Sequence, residues 1–200
     1  MRYLALGDSY TAGEGVGEGE SFPELMVNGR RSTADGQQST VDRRPSTVDR
    51  IARTGWTTGE LLSAIREAPP EGGYDLVSLL VGVNNQYRGL SIDAYRADLK
   101  ALLPLAIHSA GGNPLHVVVL SIPDWGVTPF AEGRDRARIA SEIDAFNRVA
   151  ESEARERGAI WVDVTADSRA HPHDLVADGL HPSAAAYQRW AALVLDAIQP

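Results

Sequence analysis

Ser9 stands where a short apolar run stops: Tyr3-Leu-Ala-Leu6 gives way to Gly7-Asp8-Ser9, and Thr11-Ala-Gly13 follow. A serine hydroxyl is a weak nucleophile until a base takes its proton, and that base is usually a histidine oriented by a carboxylate. Near the other end of the chain, Asp178-Gly-Leu-His181 offers such a pair. Its spacing lets one turn present both side chains on the same side. Asp178 can hold one imidazole nitrogen while the other faces Ser9. Pro182 and Ser183 open a helix directly afterwards, which fixes the turn. Read in isolation, the same residues describe a helix-opening loop with an ordinary acid and an exposed histidine.

Acyl transfer also needs donors for the oxyanion that develops on the attacked carbonyl. The backbone N–H of Ser9 is one candidate. Gly55 can bring a second backbone N–H close because no side chain intervenes. Asn84, just past the apolar run Leu76–Val81, can offer its side-chain amide. Taken singly, Gly55 reads as a turn glycine and Asn84 as the start of a loop.

The elements that must position these groups follow from hydrophobic patterning. Tyr3–Leu6 reads as a buried strand that delivers Ser9 into the open. Residues 8–19 read as a turn into a short helix or a glycine-rich loop, and 20–30 as one further helical turn. Val48–Ala52 supplies a second strand. Thr57 or Thr58 caps a helix reaching about Glu67, with Leu61, Leu62 and Ile65 inward. Leu76–Val81 is a run typical of a strand covered on both sides. It is followed by a loop at Gly82-Val-Asn-Asn85.

Ser91 opens a helix with Tyr95, Leu99, Leu102 and Ala106 in register, and Pro104 is expected to kink or break it. His116–Ile122 is another buried strand, and residues 123–133 form a loop. A long helix over Asp135–Arg157 follows, then a short strand at Ala159–Val164. Residues 165–180 are expected to be a polar loop. A final helix runs from Pro182 to about Ile198. Strands separated by helices imply a mostly parallel sheet of about five strands, with helices on both faces. Ligands bind such sheets at the carboxyl ends of the strands. Ser9, Gly82–Asn85 and Pro123–Asp124 all follow strand ends.

Composition narrows the field. Two hundred residues, 43% hydrophobic and 23% charged, fit a single domain with a substantial core. A net charge of −8 argues against a nucleic-acid partner. The chain has no cysteine, which excludes a thiolate nucleophile, disulfides and cysteine-ligated metals. No apolar run is long enough to span a bilayer, so stable membrane insertion is not expected. Four consecutive apolar residues at the N-terminus are too few for a signal-peptide core, so a cytoplasmic location is expected.

Residues 31–50 carry a seven-residue repeat at Ser32–Asp35, Ser39–Asp42 and Ser46–Asp49. Each repeat offers at most one apolar position and Pro45 interrupts, so a polar low-complexity loop is expected rather than a coiled coil; a lid is the minority reading. Other groups carry less. A proline between His171 and His173 makes joint metal ligation with Asp174 awkward, and His108 and His116 flank a connection. Gly13, Gly15, Gly17 and Gly19 lack the Lys-Ser/Thr of a phosphate loop. Trp56, Tyr87 and Trp125 sit in loops near the proposed site. They could line an acyl or sugar pocket or merely pack.

Gly7-Asp8-Ser9, Gly55 in Thr-Gly-Trp-Thr, Gly82-x-Asn84 and Asp178-x-x-His181 resemble the four blocks of the SGNH (GDSL) hydrolases, in the family's order and across nearly the whole chain. The resemblance implies Ser9 as nucleophile, His181 as base and Asp178 as its partner. It implies Gly55, Asn84 and the Ser9 amide as oxyanion donors. It further implies a flavodoxin-like, three-layer α/β/α sandwich and no metal or other cofactor; the modest size of the chain and the lack of a lipid-like helix point to a small-molecule acyl ester of short chain as substrate. Three positions depart from the pattern: Tyr10 replaces the family's leucine, Asn85 replaces the usual aspartate, and residues 31–50 match nothing in it. The other serine hydrolase fold, with Gly-x-Ser-x-Gly in mid-chain, fits poorly, since position 11 is threonine and the serine follows the first strand.

The sequence reading is therefore a serine esterase with one hydrolase domain. A thioesterase or lysophospholipase would share the same residues, and a non-catalytic flavodoxin-like binding module is the alternative of another class.

Overall fold

In the computed structural model, which describes residues 1–28 and 47–199, five strands form one sheet in the order β2-β1-β3-β4-β5. The expected low-complexity loop lies outside the described residues as far as position 46. Strand β1 (Arg2–Gly7) leads into α1 (Ser9–Ala12), and α2 (Phe22–Asn28) follows. Strand β2 (Thr47–Ala52) then leads to α3 (Thr58–Glu67), β3 (Leu76–Leu80), α4 (Val83–Tyr87) and α5 (Ile92–Ser109). The remaining elements are β4 (Val117–Leu120), α6 (Arg136–Glu156), β5 (Ile160–Val162), α7 (Thr165–Ala170) and α8 (Ala184–Ala197).

All strand pairs are parallel. The central strands β3 and β4 are buried at every position, as their apolar runs require, with Ser78, the one polar residue in them, hydrogen-bonded to Tyr3 Oη, while the edge strand β2 is largely exposed. Helix α5 packs between α3 and α6; α2 and α8 pack against each other. The flavodoxin-like α/β/α sandwich is as expected.

The chain steps from β1 out to β2 on one side, then returns to β3 on the other. The connections leaving β1 and β3 therefore part company at the carboxyl rim and open a crevice between them, the place where sheets of this order bind ligands. Gly7 pairs with Ala52 and Leu80, so all three strands reach the rim at one level. Ser9, Gly55 and Asn84 lie just beyond it.

Local chemistry explains the helix starts. Thr57 and Glu60 make a reciprocal capping box on α3, and Ser91, Asp135 and Ser183 cap α5, α6 and α8 with their side chains. One expectation narrows and two need correction. Helix α5 does not break at Pro104, one of the two outcomes expected there; Lys100, whose carbonyl would have bonded to position 104, is exposed like the proline, so solvent can take the orphaned acceptor. The stretch after β3 is not a loop, because α4 begins at Val83. The stretch expected as a polar loop from 165 begins with the helical turn α7. No helix among the described residues is long and apolar enough to cross a membrane.

Candidate active site

Asp8 turns the chain from β1 into α1. It caps the helix, its Oδ1 accepting from the Tyr10 N–H at 3.1 Å, so Ser9 becomes the first helical residue. Asp8 is fully buried and its Oδ2 has no hydrogen-bond partner among the described residues. Burial drives its carboxyl up to about 7, against the smaller opposing pull of nearby backbone N–H groups.

His181 and Asp178 come from the loop between α7 and α8. The loop is closed by a bridge between Leu175 and Pro182, by Val176 N–H donating to the His181 carbonyl, and by Ser183 N–H donating to the Asp174 carbonyl. Arg189 on α8 pairs with both Asp167 and Asp174, which fastens the loop from beneath. Asp178 Oδ1 accepts from the backbone N–H groups of Leu180 and His181 at 2.8 and 2.9 Å. Its Oδ2 lies 2.6 Å from His181 Nδ1. Burial works against the Asp178 carboxylate, but the bonds from His181 and Leu180 outweigh it and hold the group below its ordinary value. His181 Nε2 is 3.0 Å from Ser9 Oγ, across 172 residues of sequence. With Nδ1–H committed to the carboxylate, Nε2 is left as the acceptor.

The third component is held by α4. At its start, Gly82 has φ +136°, and a Cβ there would lie 2.7 Å from the Tyr95 ring, so only glycine fits. Asn84 Nδ2 donates to the Trp56 carbonyl at 2.9 Å, and Arg88 Nη2 donates to the Gly55 carbonyl. Arg88 is in turn paired with Glu60. Two residues from α4 and its C-cap thus grip consecutive carbonyls of the Gly55 loop. The N–H groups of Ser9 and Gly55 have no partner among the described residues, and Asn84 keeps one amide hydrogen uncommitted.

Asn85, fully buried, accepts from Thr58 N–H at 2.9 Å and donates to Thr58 Oγ1 at 2.7 Å. The threonine hydroxyl hydrogen then goes to Asp98 Oδ2 at 2.6 Å. An asparagine at this position fixes the direction of the relay: Thr58 Oγ1 must accept from Asn85, so it must donate to Asp98.

Ser9, Gly55, Asn84 and His181 line one cavity of about 200 Å³, walled by Tyr10, Thr54, Val83, Tyr87, Trp125, Phe130 and Leu180. The structure therefore brings together every site residue expected from sequence, Asp178 standing behind His181. Tyr87 and Trp125 line the cavity, whereas Trp56 contributes its carbonyl. Tyr10 packs its ring 5.7 Å from that of His181. His171 is held by Asp167, away from Ser9. Arg88, Phe130 and Leu180 escaped the sequence reading. Only the position of Arg88 one turn after Asn84, at the C-cap of α4, carried a usable signal.

A serine hydroxyl, an imidazole and a carboxylate in line, beside a cluster of uncommitted N–H groups, form an arrangement chemically able to transfer an acyl group. Comparison with known proteins agrees at the level of class: the chain belongs to the GDSL-like lipase/acylhydrolase family, whose pattern matches residues 5–189. It is accordingly a carboxylic ester hydrolase of the esterase or lipase kind. Solved structures share its fold across nearly their whole length. A variant of Axe2, an acetyl-xylooligosaccharide esterase from Geobacillus Stearmophilus, is 21% identical with a TM-score of 0.74, covering 100% of this chain and 94% of that one. A phospholipase A1 from Streptomyces albidoflavus NA297 is 20% identical at a TM-score of 0.69, with 98% of each chain covered. A lipase/acylhydrolase from Enterococcus faecalis is 22% identical at 0.67, covering 98% and 93%. No curated protein matches the chain.

Proposed function

We propose that the protein hydrolyses short-chain carboxylic esters through an acyl-enzyme on Ser9, within a single SGNH-type hydrolase domain. The observation that carries this reading is the continuous line from Asp178 Oδ2 through the His181 ring to Ser9 Oγ, at 2.6 and 3.0 Å.

Ser9 Oγ attacks the ester carbonyl as its proton passes to His181 Nε2, and Asp178 stabilises the imidazolium through Nδ1–H. The Ser9 and Gly55 N–H groups and the Asn84 amide receive the oxyanion. Collapse of the tetrahedral adduct breaks the bond to the alcohol oxygen, which leaves with the proton from His181. Water then enters, gives its proton to Nε2 and releases the acid.

The cavity supports the chain-length preference. About 200 Å³ is below the roughly 300–1,000 Å³ of sites built for drug-sized ligands, and the rings of Tyr87, Trp125 and Phe130 bound it.

The test has two parts. An organophosphonate should add its mass to the peptide containing Ser9, and Ser9→Ala should abolish turnover of p-nitrophenyl acetate while the fold persists. A p-nitrophenyl ester series from acetyl to long acyl chains should show kcat/KM falling with length. Turnover retained in Ser9→Ala would overturn the nucleophile; a maximum at long chains would overturn the preference.

A further inference from the structure

Arg134 sits beside the mouth of the catalytic cavity, over three rings that line it. Its guanidinium carbon is 5.2 Å from the Tyr87 ring centroid and 5.4 Å from those of both Trp125 and Phe130. The rings contact one another at 5.5 to 6.2 Å, forming a wall rather than three separate residues. The wall is stiffened from behind, where Trp125 Nε1 donates to Gln86 Oε1 at 2.8 Å and Gln86 donates to Glu142.

Arg134 has no ion-pair partner among the described residues, a condition it shares with Arg53, Arg66, Arg136 and Arg148; what sets it apart is its seat over the three rings that line the cavity. Glu132, two residues away, is exposed and pairs with no cation among the described residues, while the two carboxylates of the adjoining groove are engaged elsewhere. Glu142 is bonded to Arg138 and Gln86, and Asp135 caps α6 through the Arg138 N–H. Of its five N–H donors, Arg134 commits one to Tyr87 Oη, at 3.3 Å. The ring faces attract its charge without occupying the remaining donors. A planar guanidinium held against aromatic surface is pre-organised for a carboxylate or phosphate.

The setting makes the charge selective. The chain as a whole carries −8, so an anion approaching at random is repelled. Beyond Tyr87 and Trp125 an open groove of about 550 Å³ continues past Arg134, with room for the part of a substrate that does not enter the catalytic cavity.

We propose that Arg134 is a specificity residue that recognises an anionic group on the ester substrate, so that the preferred substrates are short esters carrying a carboxylate or phosphate. This rests on the esterase reading above. The Tyr87–Trp125–Phe130 wall holds the uncharged part of such a substrate, and Arg134 binds the anion at the edge of the wall.

Matched ester pairs test it. One pair is 4-acetoxybenzoate and its methyl ester, with the charge on the leaving group. The other is phenyl hydrogen adipate and its methyl ester, read by phenol release, with the charge on the acyl side. Arg134→Gln should lower the charged-to-neutral ratio of kcat/KM about five-fold or more in at least one pair. The affected pair identifies the side on which the anion lies. Arg134→Lys should keep part of the ratio, and added salt should depress it in the parent but not in Arg134→Gln. An unchanged ratio in both pairs, or an equal fall of both members, would overturn the proposal. Turnover surviving in Ser9→Ala would instead remove the esterase reading beneath it.

Discussion

The Asn84 amide donates to the carbonyl oxygen of Trp56 at 2.9 Å, so the side chain that serves as a candidate oxyanion donor also ties down the loop that carries Gly55. Asn84→Ala removes both contributions. It should lower kcat on p-nitrophenyl acetate by roughly 10²–10³, the usual cost of losing one oxyanion donor. KM should move much less. Arg88→Ala leaves the amide in place but frees the Gly55 carbonyl, and should give a smaller kcat loss; an equal loss would shift the weight from donation to loop anchoring.

Asp178 engages three N–H groups with two oxygens. Asn at 178 cannot reproduce this, because one of its positions becomes a donor. Either the backbone of Leu180 and His181 or His181 Nδ1 then faces an N–H₂. Asp178→Asn should reduce kcat by about 10⁴ through the wrong imidazole tautomer, with an unaltered circular-dichroism spectrum. Steady-state kinetics beside thermal melts separate this from unfolding.

Asn85 makes a counter-intuitive case. Asn85→Asp changes a single heavy atom of the side chain, yet it should destabilise. The new carboxylate would compete with Asp98 for the single Thr58 hydroxyl hydrogen, leaving one acid without its donor. A loss of about 1–3 kcal/mol is expected in urea unfolding, the scale of an unsatisfied buried acceptor. The double variant Asn85→Asp with Asp98→Asn should recover much of it, since position 98 can then donate.

Asp8 gives stability an uncommon pH dependence. Its carboxyl rises from 3.8 to about 7 on folding because it is buried. The folded protein therefore holds this proton more tightly than the unfolded chain does. The stabilisation is fully present below pH 3.8 and is lost as pH rises toward about 7. Relative to Asp8→Asn, the parent should lose stability steadily across that window in denaturant melts. A constant difference between the two would rule out a raised carboxyl.

The sheet was legible because buried strands announce themselves. Leu76–Leu80 and Val117–Leu120 are apolar at nearly every position, and the helices between them keep the 3.6-residue rhythm. Thr57 or Thr58 marked the start of α3 to within a residue; that Thr57 is the cap, in a reciprocal box with Glu60, is seen only in the structure. Ser9, Asp178 and His181 could be read because their chemistry depends on a few residue types at fixed spacing. Helix α4 could not. It is five residues long, too short to show periodicity, and its existence rests on Gly82 adopting a backbone angle open only to glycine. Arg88 was hidden with it. Arg134 and Phe130 lie close in sequence but meet Tyr87 only through tertiary packing, which no local pattern encodes. Pro104 does not break α5 for a related reason: sequence shows the missing N–H, but not that Lys100 and Pro104 both lie on the exposed side of the helix.

Arg189 ties α8 to Asp167 and to Asp174 in the loop that carries His181, so the imidazole meets Ser9 only where that helix is docked. On the acyl-enzyme reading proposed above, ester turnover is therefore a gauge of a packing contact well away from the scissile bond. Loosening α8 at Arg189 should silence the enzyme while the paired strands of the sheet still hold.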